Sequence, residues 1–258
     1  MYFVEGENEQ TEKRIIIVLI IVTVLVILWH IMFPRIYMRF FFITELAPIV
    51  DPPAEAFTAY DITLENGQTA SIDGLTMTIP NDFTLRETSD KYSIVYDHPE
   101  PATNSIVVSG AQDVSHMNLT VKENAETLMS EYFYQTSCRN LTKGYKALGY
   151  GTPDSAYNVY KAVSLLEADN YSFWNWQQNY AYAMCCGLNA TIFYHPYYDR
   201  YIYETEDVCG IVFYSDLSGD SAYAYMFSTD DLNTMYTIFG KCDSQEQLYG
   251  MLNSIVIE

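Results

Sequence analysis

From Ile15 to Phe33 the chain reads IIIVLIIVTVLVILWHIMF, 19 residues with no charge and only Thr23 and His30 as polar breaks. A core helix of this length keeps a polar stripe, and this run has none. At 1.5 Å per residue it nearly matches the roughly 30 Å hydrocarbon thickness of a bilayer. Pro34, Arg35 and bulky residues follow where a cleaved signal peptide would carry small ones. The pattern therefore predicts an uncleaved transmembrane helix at 15–33, after a short tail at 1–14. Trp29, Arg35, Tyr37, Arg39 and Phe40 to Phe42 read as an interfacial collar. His30 reads as a polar tip reaching the same interface.

Residues 34–56 complete the collar and, with three prolines after residue 43, form a short stiff linker. Beyond 57 the pattern changes to that of a folded α+β domain running to 258. FTAYDITLENGQTASIDGLTMTI contains two strand-like runs around Asn66-Gly67, a hairpin signal. Leu75, Met77 and Ile79 alternate with Thr76 and Thr78, and Pro80-Asn81-Asp82 breaks the run. Strands are predicted at 91–97 and 105–111. A helix is predicted at 121–135, with Leu128, Met129, Tyr132 and Phe133 on one face. A second should start at Thr152-Pro153 and run to Leu166, burying Tyr160, Val163 and Leu166. A third should cover Ser172 to Cys186 and stop at Gly187. Three strands then follow, RYIYETEDVCGIVFYS, SAYAYMFS and TMYTIFGKC. Asp243 caps a last helix, with Glu246 three residues on, and IVIE ends the chain.

Charge narrows the partners. The formal net charge is −20, and the first 44 residues sum to zero, so the rest of the chain carries all of it on nine basic and 29 acidic residues. Such a surface repels nucleic acid and anionic lipid headgroups. Flanking charge does not orient the helix, since Lys13 and Arg14 precede it and Arg35 and Arg39 follow. Three other features favour a domain outside the cytoplasm. It is poor in Lys and Arg, it holds every cysteine, and it has N-x-Ser/Thr sequons at Asn118, Asn140, Asn170 and Asn189.

DGLTMTIPNDF (73–83) and LYGMLNSIVI (248–257) resemble the opening strand motif and the last helix and strand of PsbP-like and DcrB-like proteins. The resemblance implies an antiparallel sheet flanked by helices on a secreted or tethered chain. It implies no catalytic residue. Residues 140–205 look like an aromatic-rich insertion into that pattern.

Local motifs for catalysis are missing. The domain's His98, His116 and His195 form no H-x-x-x-H pair, and there is no C-x-x-C, G-x-S-x-G, P-loop or G-x-G-x-x-G. Asp97, His98 and Glu100 sit together in YDHPE, read as a strand-ending turn rather than a metal site. ETED (204–207) and STDD (228–231) read as turn acids. No cofactor and no metal is predicted.

Aromatics stand out, with 24 tyrosines in the chain. Most should pack in the core and sheet. Trp174, Trp176, Tyr194, Tyr197 and Tyr198 are the candidate contact residues for a protein or glycan partner. On one helix Trp174 and Trp176 would diverge by about 200°, so one should be buried. The five cysteines are Cys138, Cys185, Cys186, Cys209 and Cys242. Cys209–Cys242 is not the expected pair, because the last three strands, if they form a meander, set the two too far apart. A bridge from Cys185 or Cys186 to Cys138, Cys209 or Cys242 stays open beside a wholly reduced, buried set. The sequence thus predicts a single-pass membrane protein with an extracytoplasmic α+β domain that binds or scaffolds in the cell envelope. An envelope enzyme without local motifs and a glycan-binding module are the alternatives.

Overall fold

The computed structural model describes residues 4–41, 44, 52–86, 92–100, 103–117, 143–152, 154–167, 170–192, 198–217 and 219–258. The predicted helix at 121–135 lies outside them, as do Cys138, Tyr194 and Tyr197.

Helix α1, Val4–Phe41, is continuous for 38 residues. Its segment Arg14–Phe41 is long and apolar enough to cross a membrane, and none of its apolar window is buried. The collar expected after the span is therefore the end of the helix itself. Pro34 does not stop it.

The domain is mixed α+β. Strands β1 (Glu55–Ala56), β4 (Thr84–Arg86), β5 (Ser93–Asp97), β6 (Ser105–Asp113), β7 (Asp199–Glu204), β8 (Val208–Ser215), β9 (Ser221–Ser228) and β10 (Thr234–Lys241) build one sheet. Its order is β1-β7-β8-β9-β10-β6-β5-β4, antiparallel throughout except for β1 beside β7. A second sheet, β11-β3-β2, is made of β2 (Gly67–Ile72), β3 (Leu75–Pro80) and β11 (Val256–Ile257). Helices α2 (Ala156–Ser164), α3 (Trp176–Ile192) and α4 (Gln245–Asn253) complete the fold.

The large sheet is covered on both faces. Cys209, Ile211, Phe213, Tyr225 and Phe227 point toward α2 and α3. Val212, Tyr214, Ala224, Met226 and Ile238 point toward the small sheet and α4. Two-sided burial explains why β8 is apolar almost without alternation and buried at every position. Most tyrosines belong to these layers, as in the edge-to-face packing of Tyr160 on Tyr225 and of Phe57 on Tyr249.

Several elements fall elsewhere than the pattern predicts. The hairpin turn is Asp73-Gly74, with φ of 47° and 88°, both positive as a type I′ turn requires. Asn66-Gly67 is not the turn. Gly67 opens β2, where a side chain would collide with Thr78 and the Ile79 carbonyl, so close approach explains that glycine. RYIYETEDVCGIVFYS is two strands, β7 and β8, joined at residues 205–207. The linker ends earlier than expected, since Ala54 is buried and Glu55–Ala56 already pairs with β7.

Helix ends differ too. Ser155, not Thr152, caps α2, its hydroxyl accepting from the Asn158 N–H. Ser244, not Asp243, caps α4, accepting from the Gln247 N–H, while Gln247 reaches back to the Asp243 N–H. Helix α3 passes through Gly187 to Ile192. Ala181, Tyr182, Cys185, Cys186 and Asn189 form its buried face, and Asn189 donates to the Val163 carbonyl of α2 at 3.3 Å. This packing outweighs the roughly 1 kcal/mol preference of glycine for a helix end.

Candidate functional site

The described part of the aromatic insertion makes a platform at the start of α3. Trp174 lies before the helix and Trp176 at its first residue, so the 200° divergence of a shared helix does not apply. Both rings are exposed, at 68% and 60%. Asn175 is the cap, its Oδ1 accepting from the Gln178 N–H at 3.1 Å. Asn179 clamps Ser172 through both amide atoms, accepting from its N–H at 2.8 Å and donating to its carbonyl at 2.6 Å. Gln178 donates to the Asn170 carbonyl at 2.7 Å. The loop's polar groups are thus turned inward while its indoles point out. Tyr198 is half-buried and packs on the α2–α3 layer, so it does not join the platform.

The platform touches α1. The Arg35 guanidinium carbon stands 5.1 Å from the Trp174 ring centroid. The Tyr171 hydroxyl donates to the Arg35 carbonyl at 3.1 Å. Phe173 meets Trp174 edge-on at 4.8 Å. Sequence reading isolated the two tryptophans but missed Arg35 and Tyr171 as their partners, because nothing in a pattern joins residues so far apart.

A second cluster unites Asp82 after β3, His98 after β5 and Asp243 before the α4 cap. One ligand atom from each lies within 4.8 Å of the others. His98 Nε2 is 3.1 Å from Asp82 and 4.0 Å from Asp243, and Asn104 donates to Asp243 at 2.7 Å. The His98 ring is buried against Phe83. One imidazole and two carboxylates form a donor set that suits a divalent cation. Nε2 bonds to Asp82 and stands near Asp243, so the cluster brings three segments of chain together. Asp97, grouped with His98 by sequence, pairs with Arg86, whose Nε donates to it at 2.6 Å.

A third cluster pins α2 to β7. The Tyr157 hydroxyl and the Lys161 ammonium both donate to Glu204 Oε1, at 2.8 and 2.6 Å. Burial works against ionisation of Glu204, but these donors hold its carboxyl below the ordinary value.

The four described cysteines are free and buried, which removes any bridge among Cys185, Cys186, Cys209 and Cys242. Burial pushes the Cys185 thiol up to about 11, and the Tyr145 hydroxyl, 3.2 Å from its sulfur, works the other way. Cys186, Cys209 and Cys242 are pushed up to about 12, by burial first. Such thiols are core residues rather than nucleophiles. Asn189 is buried within α3, and the Asn170 side chain accepts from the Glu167 N–H at 2.9 Å. Asn118, Asn140 and Cys138 lie outside the described residues.

No family model matches the chain, and no curated protein matches it. Among solved structures, a crystal structure from Bacteroides thetaiotaomicron VPI-5482 is similar at 11% identity, over 76% of this chain and 49% of that one, with a TM-score of 0.29. The chain spans about half the length of that structure, and a likeness at this level carries no argument.

Proposed function

We propose that the chain is a single-pass membrane protein whose acidic α+β domain lies outside the cytoplasm and binds or scaffolds a partner in the cell envelope. The observation that carries this reading is the apolar length of α1, left wholly uncovered, whereas most of the large aliphatic residues described in the domain pack on the two faces of one sheet. Each such residue left in water costs about 1.5–3 kcal/mol relative to burial, so the helix requires an apolar surround.

The kinship with PsbP-like and DcrB-like proteins belongs to the same proposal. Its support is that the two resembling stretches meet, with Val256 opposite Thr76 and Ile257 opposite Leu75 in the small sheet.

Topology is tested with an exposed reporter, Glu206→Cys, labelled by a membrane-impermeant maleimide. Labelling of intact cells is expected. Labelling only after lysis would place the domain inside. Extraction by alkaline carbonate should leave the chain in the membrane, and its release would refute the anchor. Crosslinking in native membranes should yield a discrete adduct with another envelope protein, and a monomer alone would count against scaffolding.

A further inference from the structure

The platform at 171–176 has a position as well as a shape. If 15–33 fills the hydrocarbon, the remainder of the 28-residue segment Arg14–Phe41 extends into the headgroup layer, since that segment is about 42 Å long at 1.5 Å per residue. Arg35 lies two residues beyond Phe33, at the start of that layer. Trp174 is stacked by the Arg35 guanidinium and Tyr171 is bonded to the Arg35 carbonyl, so both sit at the same level.

We infer that Trp174 and Trp176 form an interfacial contact with the lipid headgroup region, fixing the domain against the membrane beside α1. This rests on the membrane-anchored reading above. The chemistry suits the occupant. Indoles prefer the bilayer interface, where the ring body is apolar and the N–H stays wet. Residues 170–180, NYSFWNWQQNY, contain no charge although 18% of the chain is charged, so the acidic repulsion of the domain is relieved locally. The polar groups of the loop are bonded to one another through Ser172, Asn175, Gln178 and Asn179, which lowers the cost of leaving bulk water. On α1 itself, Tyr37 and Phe40 are also exposed, at 62% and 69%, and extend the aromatic belt at this level. A zwitterionic headgroup layer is the surface committed to; a glycan is the competing occupant.

The test uses the full chain in phosphatidylcholine vesicles. Trp29→Phe leaves Trp174 and Trp176 as reporters, and the double variant Trp174→Phe, Trp176→Phe leaves Trp29. Each is quenched by phosphatidylcholine brominated high on its acyl chains and, separately, by aqueous iodide. Loss of Trp174/Trp176 emission with brominated lipid, and little loss with iodide, is the expected result. Quenching by iodide and not by lipid, while Trp29 is quenched by lipid, overturns the contact and leaves the anchor standing. A Trp29 signal untouched by brominated lipid overturns the anchor, and the contact falls with it. Protection of the indoles from iodide by added polysaccharide and not by lipid assigns them to a glycan and also overturns it. Matching thermal melts of the variants exclude misfolding as the cause, and all three replaced rings are exposed.

Discussion

The adjacent Cys185 and Cys186 give the sharpest test of the core. In a Cys138→Ser background the described thiols are Cys185, Cys186, Cys209 and Cys242, all buried. At pH 8 a thiol at about 11 is about one thousandth ionised, against roughly a quarter for an ordinary cysteine. The folded protein also denies the reagent access, since Cys185 and Cys186 have no exposed surface. Reaction must therefore pass through an opened state in which the thiol regains its ordinary acidity. If that opening costs 5 kcal/mol, the low end for a stable domain, about one molecule in five thousand is open. Labelling by a chromogenic disulfide reagent should thus run at least about three orders of magnitude slower in the native protein than in denaturant. The Glu206→Cys thiol serves as the exposed control. Rapid native labelling of Cys185 or Cys186 would refute the buried-helix account. An intact mass short by two hydrogens would refute the free thiols.

Three further outcomes are expected. Asn175→Ala removes the α3 cap and should cost about 1 kcal/mol, read by chemical denaturation; an unchanged midpoint would mean the loop is not anchored as described. Gly74→Ala forces a side chain into a φ of 88° and should destabilise by about 1 kcal/mol or more, whereas Ser71→Ala on the same hairpin should lie within about half that. Glu204 has a folded pKa below its unfolded one, so its stabilisation is present above the unfolded value and is lost as pH falls through the folded one. Glu204→Gln should therefore lower stability at neutral pH and flatten its acid limb, and parallel curves for the two proteins would dismiss the cluster.

Pattern revealed what depends on neighbours in sequence. The apolar run of α1, the alternation of β3, the buried Tyr160 and Val163 of α2 and the buried Leu166 just beyond it all follow from periodicity. It misplaced what depends on contacts made at a distance. Asn66-Gly67 looks like a turn, yet the approach of Thr78 explains Gly67, and the true turn is seven residues on. Gly187 looks like a stop, yet packing on Val163 carries the helix past it. Of the candidate contact residues in the described chain, Trp174 and Trp176 are exposed and Tyr198 is half-buried, a difference sequence does not show, because a half-buried core tyrosine and a displayed one read alike. Asp82, His98 and Asp243 could not be grouped from sequence, since a sheet, a turn and a helix start bring them together.

Strand β1 is only two residues long, but in the chain it is the first strand after α1, at the entry to the fold. Glu55 and Ala56 cover β7, and the N–H groups of Ala54 and Phe57 extend the attachment to Ser164 and Ile202. That geometry decides what a protease would release. Cleavage upstream of Ala54 would shed a domain whose sheet margin is still closed. Cleavage just after Phe57 would strip the margin and leave β7 bare, with the unpaired backbone that recruits a second copy into aggregates. A shed form that stays monomeric should therefore begin before residue 54.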